Sequence, residues 1–166
     1  VFESDEVYRA LMQYKEKTGR PVWVYMHTTC ASGGYYIAMA AEKLVANYGA
    51  TTGSIGVYIQ LTDLSGLYEK LGMETVLLRS GDNKGIGVQG VPITEEQRAV
   101  YQSIVDESYE RFLQLVMDGR GMHEEIARPL ADGRPYTAQQ ALDNGLVDEL
   151  GEWQPTLEAF SEKTGA

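Results

Sequence analysis

PVWVYMHTTCASGGYYIAMAAEKLVAN, residues 21–47, reads as strand, turn, helix and strand in succession. Pro21 through His27 is rich in β-branched and aromatic residues, the composition of a buried strand. Thr28 through Ser32 turn the chain. Gly33 through Ala41 form a helix whose small residues permit close packing, and Lys43 through Asn47 are a second short strand. A strand that feeds a helix and then another strand is the repeating unit of an α/β fold.

The same alternation continues on both sides. Upstream, Val7, Ala10, Leu11 and Tyr14 share a helical face, with Ser4 as expected N-cap, Asp5 and Glu6 in the first turn and Gly19 as the stop. Downstream, Tyr48–Gly56 is turn-rich and Val57–Leu61 reads as a strand. Leu64, Leu67, Tyr68 and Leu71 mark an amphipathic helix ended by Gly72, and Glu74–Arg79 (ETVLLR) reads as a further strand. Ser80–Val91 (SGDNKGIGVQGV) is a loop with four glycines in twelve residues. Thr94 and Gln97 form a capping-box pattern that opens a long helix, striped by Val100, Tyr101, Ile104, Phe112, Leu113 and Val116 and ended by Gly119 and Gly121. Two or three short helices follow, with a turn at Asp132–Pro135, a Thr137 cap for a helix through Leu142, and Gly145 at its end. No repeat, low-complexity tract or linker interrupts the 166 residues, so the expectation is one domain over 1–166. The chain opens on Val1 rather than methionine and is expected to be a piece of a longer product.

Composition narrows the function. Fourteen basic against 24 acidic residues leave a formal charge of −10, which repels phosphate backbones and argues against nucleic-acid partners. Cys30 is the only cysteine, so no internal disulfide and no thiolate zinc cluster can form. With only His27 and His123, a multi-histidine metal site is also excluded, and no metal is expected. No run of 18 apolar residues is long enough to span a bilayer.

Chemistry concentrates at two places. Ala31-Ser32-Gly33-Gly34 follows a strand and opens a helix, where unpaired N–H groups and the helix dipole favour negative charge. A serine there is placed to act as nucleophile, with the Gly33 amide facing an oxyanion. From this tetrapeptide alone, a plain N-cap serine with glycines for packing is the favoured reading. The base is equally open. His27 lies on the strand and His123 in a charged, exposed stretch, and no spacing argument joins either to Ser32. Lys84 sits in the glycine-rich loop after a strand end. A lysine base must be neutral near pH 7, which demands burial, whereas a solvated loop lysine is the ordinary case. The loop lacks the GxxxxGK[ST] spacing of a phosphate cradle. The carboxylate pairs Asp5/Glu6, Glu95/Glu96 and Glu124/Glu125 stand at helix starts and read as solvated capping groups.

The longer run CASGGYYIAMAAEKLVANYGATTGSIGV, Cys30–Val57, resembles the S49 family of serine peptidases, of the signal peptide peptidase A type. The family shows an ASGGYY element, a TGSxGV element, then a strand and a glycine-bounded lysine. All occur here in that order. Val105–Tyr109, Gly119–Gly121, Ala131–Arg134 and Gly145–Gly151 also look like family segments, so the resemblance covers nearly the whole chain. It implies a ClpP/crotonase-like fold of stacked ββα units with a helical C-terminal part. It assigns Ser32 as nucleophile, Lys84, 52 residues later, as general base, and Ser54 as the serine that positions the lysine amine. The implied reaction is peptide hydrolysis through an acyl-enzyme, with no metal or cofactor, on cleaved signal peptides and other apolar or unfolded segments.

The resemblance further implies homo-oligomeric rings or domes, in which serine and lysine can come from neighbouring subunits. It implies a membrane-associated full-length protein whose catalytic domain lies outside the cytoplasm. An SPGG-like run that supplies a second oxyanion amide in the family would precede Val1. Losing one such donor typically costs on the order of 100-fold in rate. Cys30, two residues from Ser32, has no motif in support of it as a nucleophile. Two other readings of the same chain are a non-catalytic, self-assembling S49-like scaffold and a crotonase-type acyl-CoA enzyme on the same fold.

Overall fold

The computed structural model describes residues 2–165. They form two compact units: the described residues up to Gly56 together with those from Ser108 onward, and Val57–Glu107.

The first unit is α/β. It contains α1 (Phe2–Thr18), β1 (Trp23–Met26), β2 (Thr29–Ala31), α2 (Gly33–Ala38), β3 (Lys43–Ala46) and β4 (Thr51–Gly53). Its four short strands pair into two sheets. β1 and β3 run parallel with Trp23 opposite Lys43, while β2 and β4 run parallel with Thr29 opposite Thr51. Each ββ step therefore gives one strand to each sheet, which is the stacked ββα arrangement that the resemblance implies. The C-terminal part is mostly helical, and two short strands within it finish both sheets. β5 (Pro135–Thr137) joins β4 antiparallel, and β6 (Glu149–Leu150) joins β3 parallel. Asp148 fixes the latter join: its carboxylate accepts from the Leu44 N–H at 2.7 Å and from Arg120 at 2.5 Å.

The remaining helices are α3 (Ser65–Lys70), α4 (Glu95–Arg120), α5 (Glu124–Leu130), α6 (Ala138–Asp143) and α7 (Trp153–Thr164). Chain order carries α4 from the second unit into the first. In the first unit Tyr35, Tyr36, Phe112, Leu113, Val116, Leu44 and Leu146 are buried together. The Tyr35 hydroxyl satisfies itself on the Leu146 carbonyl at 2.7 Å. Of the expected stripe on α4, Phe112, Leu113 and Val116 are buried, whereas Val100 and Ile104 are exposed.

Several expectations hold locally. Thr137 caps α6 in a complete capping box with Gln140, and Thr94 and Gln97 form the reciprocal box at the start of α4. Others need correction. Ser4 is not an N-cap, because α1 already runs from Phe2. Its hydroxyl instead faces α2, where a Cβ on Gly33 would come within 2.5 Å of the Ser4 Oγ. The expected strand over Pro21–His27 shortens to Trp23–Met26 and the helix over Gly33–Ala41 to Gly33–Ala38. The long helix passes through Gly119, whose missing side chain leaves room for Met39. β2 and β4 arise in stretches that read as turns, and β5 and β6 where the sequence suggests no strand, because two or three residues are too few to show a period of two.

The largest departure is in the second unit. Val57–Leu61 and Glu74–Arg79 form no strands. Neither makes a backbone–backbone hydrogen bond to any described residue. A strand exists only against a partner edge, and here none is supplied.

Candidate active site

Register brings two of the sequence-predicted residues together. β2 and β4 pair Ala31 with Gly53, so Ser32 and Ser54 leave the two strands side by side. The Ser32 N–H donates to the Gly53 carbonyl at 2.8 Å, and the Ser54 N–H donates to the Arg134 carbonyl at 2.9 Å. Across the same two strands the buried Thr52 hydroxyl donates to the Cys30 carbonyl at 2.6 Å. Thr52 lies in the TTG stretch of the sequence, and only the pairing reveals its bridging contact.

Ser32 (φ 51°) and Ser54 (φ 49°) are the only non-glycine residues with positive φ among the described residues. Such a conformation costs an L residue about 1–3 kcal/mol and persists where surrounding structure enforces it. At Ser32 the enforcement is visible. Its N–H is held by β4, and its carbonyl accepts from the Tyr36 N–H at 2.9 Å in the first turn of α2. The hydroxyl is thereby left exposed at a sharp strand-to-helix turn, and it makes no capping bond. The plain N-cap reading thus fails on geometry. Beside it the Gly33 N–H, at the first position of α2, finds no acceptor among the described residues. Gly53 is equally constrained: its φ is +74°, and an added Cβ would lie 2.5 Å from the Tyr136 ring.

A polar cluster stands behind this turn that sequence reading missed. Tyr36, buried on α2, donates its hydroxyl to Asp5 of α1 at 2.7 Å. Arg111 donates to the same carboxylate oxygen at 2.5 Å and to the Tyr36 hydroxyl at 3.1 Å, and Arg9 holds the other oxygen at 2.6 Å. Arg111, then Tyr36 and Arg9, hold the Asp5 carboxyl far below its ordinary range. Asp5 is therefore no solvated capping group. Its only sequence signal is an acidic residue two positions before the helical face begins at Val7.

The remaining candidates separate cleanly. Lys84 belongs to the second unit, where its side chain is exposed and its N–H closes a turn onto the Gly81 carbonyl at 3.0 Å. His27 and His123 are both exposed; His27 follows the end of β1, and His123 precedes α5 without capping it. Cys30 is half-buried, and burial pushes its thiol up to about 11, so thiolate is scarce at neutral pH.

A model of peptidase family S49 matches residues 14–166. The chain belongs to that family. Among S49 relatives, a protein of Enterococcus faecium described as a signal peptide peptidase SppA is 37% identical over 98% of this chain and 47% of its own length. A Synechocystis protein described as a protease is 39% identical over 95% of this chain and 58% of its own length. This S49 chain thus spans about half the length of the curated relatives it matches. Among solved structures, a peptidase from Plasmodium falciparum aligns with a TM-score of 0.48 at 8% identity, covering 88% of this chain and 63% of that one. No helix of the described residues is long and apolar enough to cross a membrane.

Proposed function

We propose that this S49 chain is a single catalytic domain of a serine endopeptidase that works through a Ser/Lys dyad. The observation that carries the reading is the strained, exposed Ser32 at the turn from β2 to α2, beside an unpaired Gly33 N–H and next to Ser54. The Ser32 Oγ attacks the scissile carbonyl carbon while its proton passes to the unprotonated Lys84 amine. The Gly33 N–H stabilises the oxyanion. Collapse breaks the C–N bond, and the lysine returns the proton to the leaving amine. Water then attacks the acyl-enzyme, giving up a proton to Lys84, and the carboxylate departs as Ser32 recovers its hydrogen. Ser54 hydrogen bonds to the lysine amine and orients it.

The proposed substrates are extended apolar or unfolded segments, leftover signal peptides among them. The proposed working form is a homo-oligomer at a membrane, with the catalytic domain outside the cytoplasm and Lys84 reaching Ser32 within or between subunits. Two features of the second unit support assembly. Tyr58, Val76 and Leu78 are exposed at 83%, 74% and 90%, and the segments that carry them have no backbone partner among the described residues. Such edges gain hydrogen bonds and burial when another chain lies against them.

The test is hydrolysis of an apolar fluorogenic peptide by the full-length protein beside Ser32→Ala and Lys84→Ala, with fold checked by circular dichroism. Each substitution should lower kcat by roughly 10³-fold or more. Full activity in Lys84→Ala would remove the lysine as base. Inertness of the parent on several peptides, together with a large assembly by light scattering, would favour the scaffold reading.

A further inference from the structure

Gln97 is the one buried residue among the described residues of the second unit, only 5% exposed. It occupies the third position of the helical turn that Thr94 caps. The capping box uses the Gln97 N–H, which donates to the Thr94 hydroxyl at 3.2 Å, and its Oε1, which accepts from the Thr94 N–H at 3.2 Å. Glutamate would serve that box equally and would suit the helix dipole better. The amide nitrogen is therefore surplus to the cap. It is spent outside the helix, donating to the Asp82 carbonyl at 2.8 Å.

Asp82 stands two residues before Lys84. The loop around it has no ladder: Gly85, Gly87 and Gly90 all take positive φ, and residues 80–88 lack regular structure. Its far end is held where the Thr75 hydroxyl donates to the Gln89 carbonyl at 3.2 Å. On the near side the Gln97 amide makes the one side-chain hydrogen bond that reaches residues 80–88 among the described residues. The other tie is a long 3.5 Å ion pair between Arg79 and an almost fully exposed Asp82 carboxylate. A flexible lysine can act as base only if its backbone is fixed, since displacement by about 1 Å can cost on the order of 100-fold.

We propose that Gln97 is a positioning residue for Lys84: its side-chain amide anchors the loop that presents the lysine. This rests on the Ser/Lys reading for its effect on rate, and on the 97–82 contact alone for the anchor itself. The experiment uses the full-length protein with Gln97→Glu, Gln97→Ala, Thr94→Ala and Lys84→Ala. Two quantities are read: amide hydrogen exchange at residues 82–86, and kcat and KM on an apolar peptide.

Gln97→Glu keeps the cap and loses the donor to Asp82. It should speed exchange at 82–86 about tenfold or more and lower kcat roughly 10- to 100-fold with KM within about twofold. Thr94→Ala breaks the cap and spares the anchor, so both quantities should stay within about twofold of the parent. Should the buried carboxylate of Gln97→Glu prevent folding, the pair Gln97→Ala and Thr94→Ala makes the same comparison, since both lose the box and only the first loses the anchor. Unchanged exchange at 82–86 in the Gln97 variants overturns the anchor. Equal losses of kcat in the Thr94 and Gln97 variants reduce Gln97 to a helix cap and overturn the proposal. Parental kcat in Lys84→Ala defeats the Ser/Lys reading instead, and the exchange data then still decide whether the anchor exists.

Discussion

KLVAN at 43–47 and ETVLLR at 74–79 have the same apolar, β-favouring character, and the two units treat them in opposite ways. In the first unit Lys43–Ala46 lies between β1 and β6, and Leu44, Val45 and Ala46 are buried. In the second unit Glu74–Arg79 alternates as a strand does, Thr75 and Leu77 half-buried and Val76 and Leu78 outward, but no neighbour among the described residues pairs with its backbone. Strand character is a property of a pair of segments. The first unit contains both halves of each pair, and the second contains one.

The difference can be broken most severely at Gly53. Alanine there must adopt a φ near +74° and push into the Tyr136 ring at 2.5 Å, so Gly53→Ala should cost about 2–4 kcal/mol. Urea unfolding monitored by circular dichroism measures it. A glycine of the second unit that meets nothing within 4 Å, Gly81, should tolerate alanine almost silently in the same assay.

A middle-sized effect is expected at Asp5, the carboxylate that ties α1 to α2 and α4. Asp5→Asn should lower stability by about 1–3 kcal/mol at pH 7, since bonds to a charged partner are lost. The sign with pH follows from the depressed carboxyl. A carboxylate held below its unfolded value contributes fully above about pH 4 and loses that contribution as acid protonates it. The parent should therefore weaken between pH 4 and pH 2, while Asp5→Asn should change less over that range. Equal pH slopes would show that the cluster does not secure the first unit.

The smallest change in stability should come from the second unit's exposed apolar side chains. Val76→Thr with Leu78→Thr should alter unfolding by no more than about 0.5 kcal/mol. The same pair should shift light scattering toward smaller species, because it thins the apolar edge offered to another copy. Scattering unchanged by the double substitution would separate that edge from assembly.

Much of the first unit was legible because its signals are local. The Thr137 cap lies three residues from its partner, and the SGGYY turn follows a strand of plain composition. The candidate site was legible in a different way, through resemblance, since Ser32 and Lys84 taken singly favoured ordinary roles. What stayed hidden is long-range. Asp5 meets Arg111 across 106 residues, and nothing near Asp5 in the sequence marks it out from any other acidic residue of a first helical turn. Two-residue β6 carries no period at all, and exists because Asp148 is tied to Leu44 and Arg120.

By itself the sequence determined the α/β class, the helix boundaries that capping and glycine set, and the family. Those depend on contacts within a few residues or on a pattern of ordered motifs. Only the tertiary structure decided which apolar runs became strands. It also decided that Ser32 and Ser54 stand adjacent in strained turns and that the spare amide of Gln97 reaches the lysine loop. Each of these requires a second segment, distant in the chain, to supply the hydrogen bond that the first leaves open.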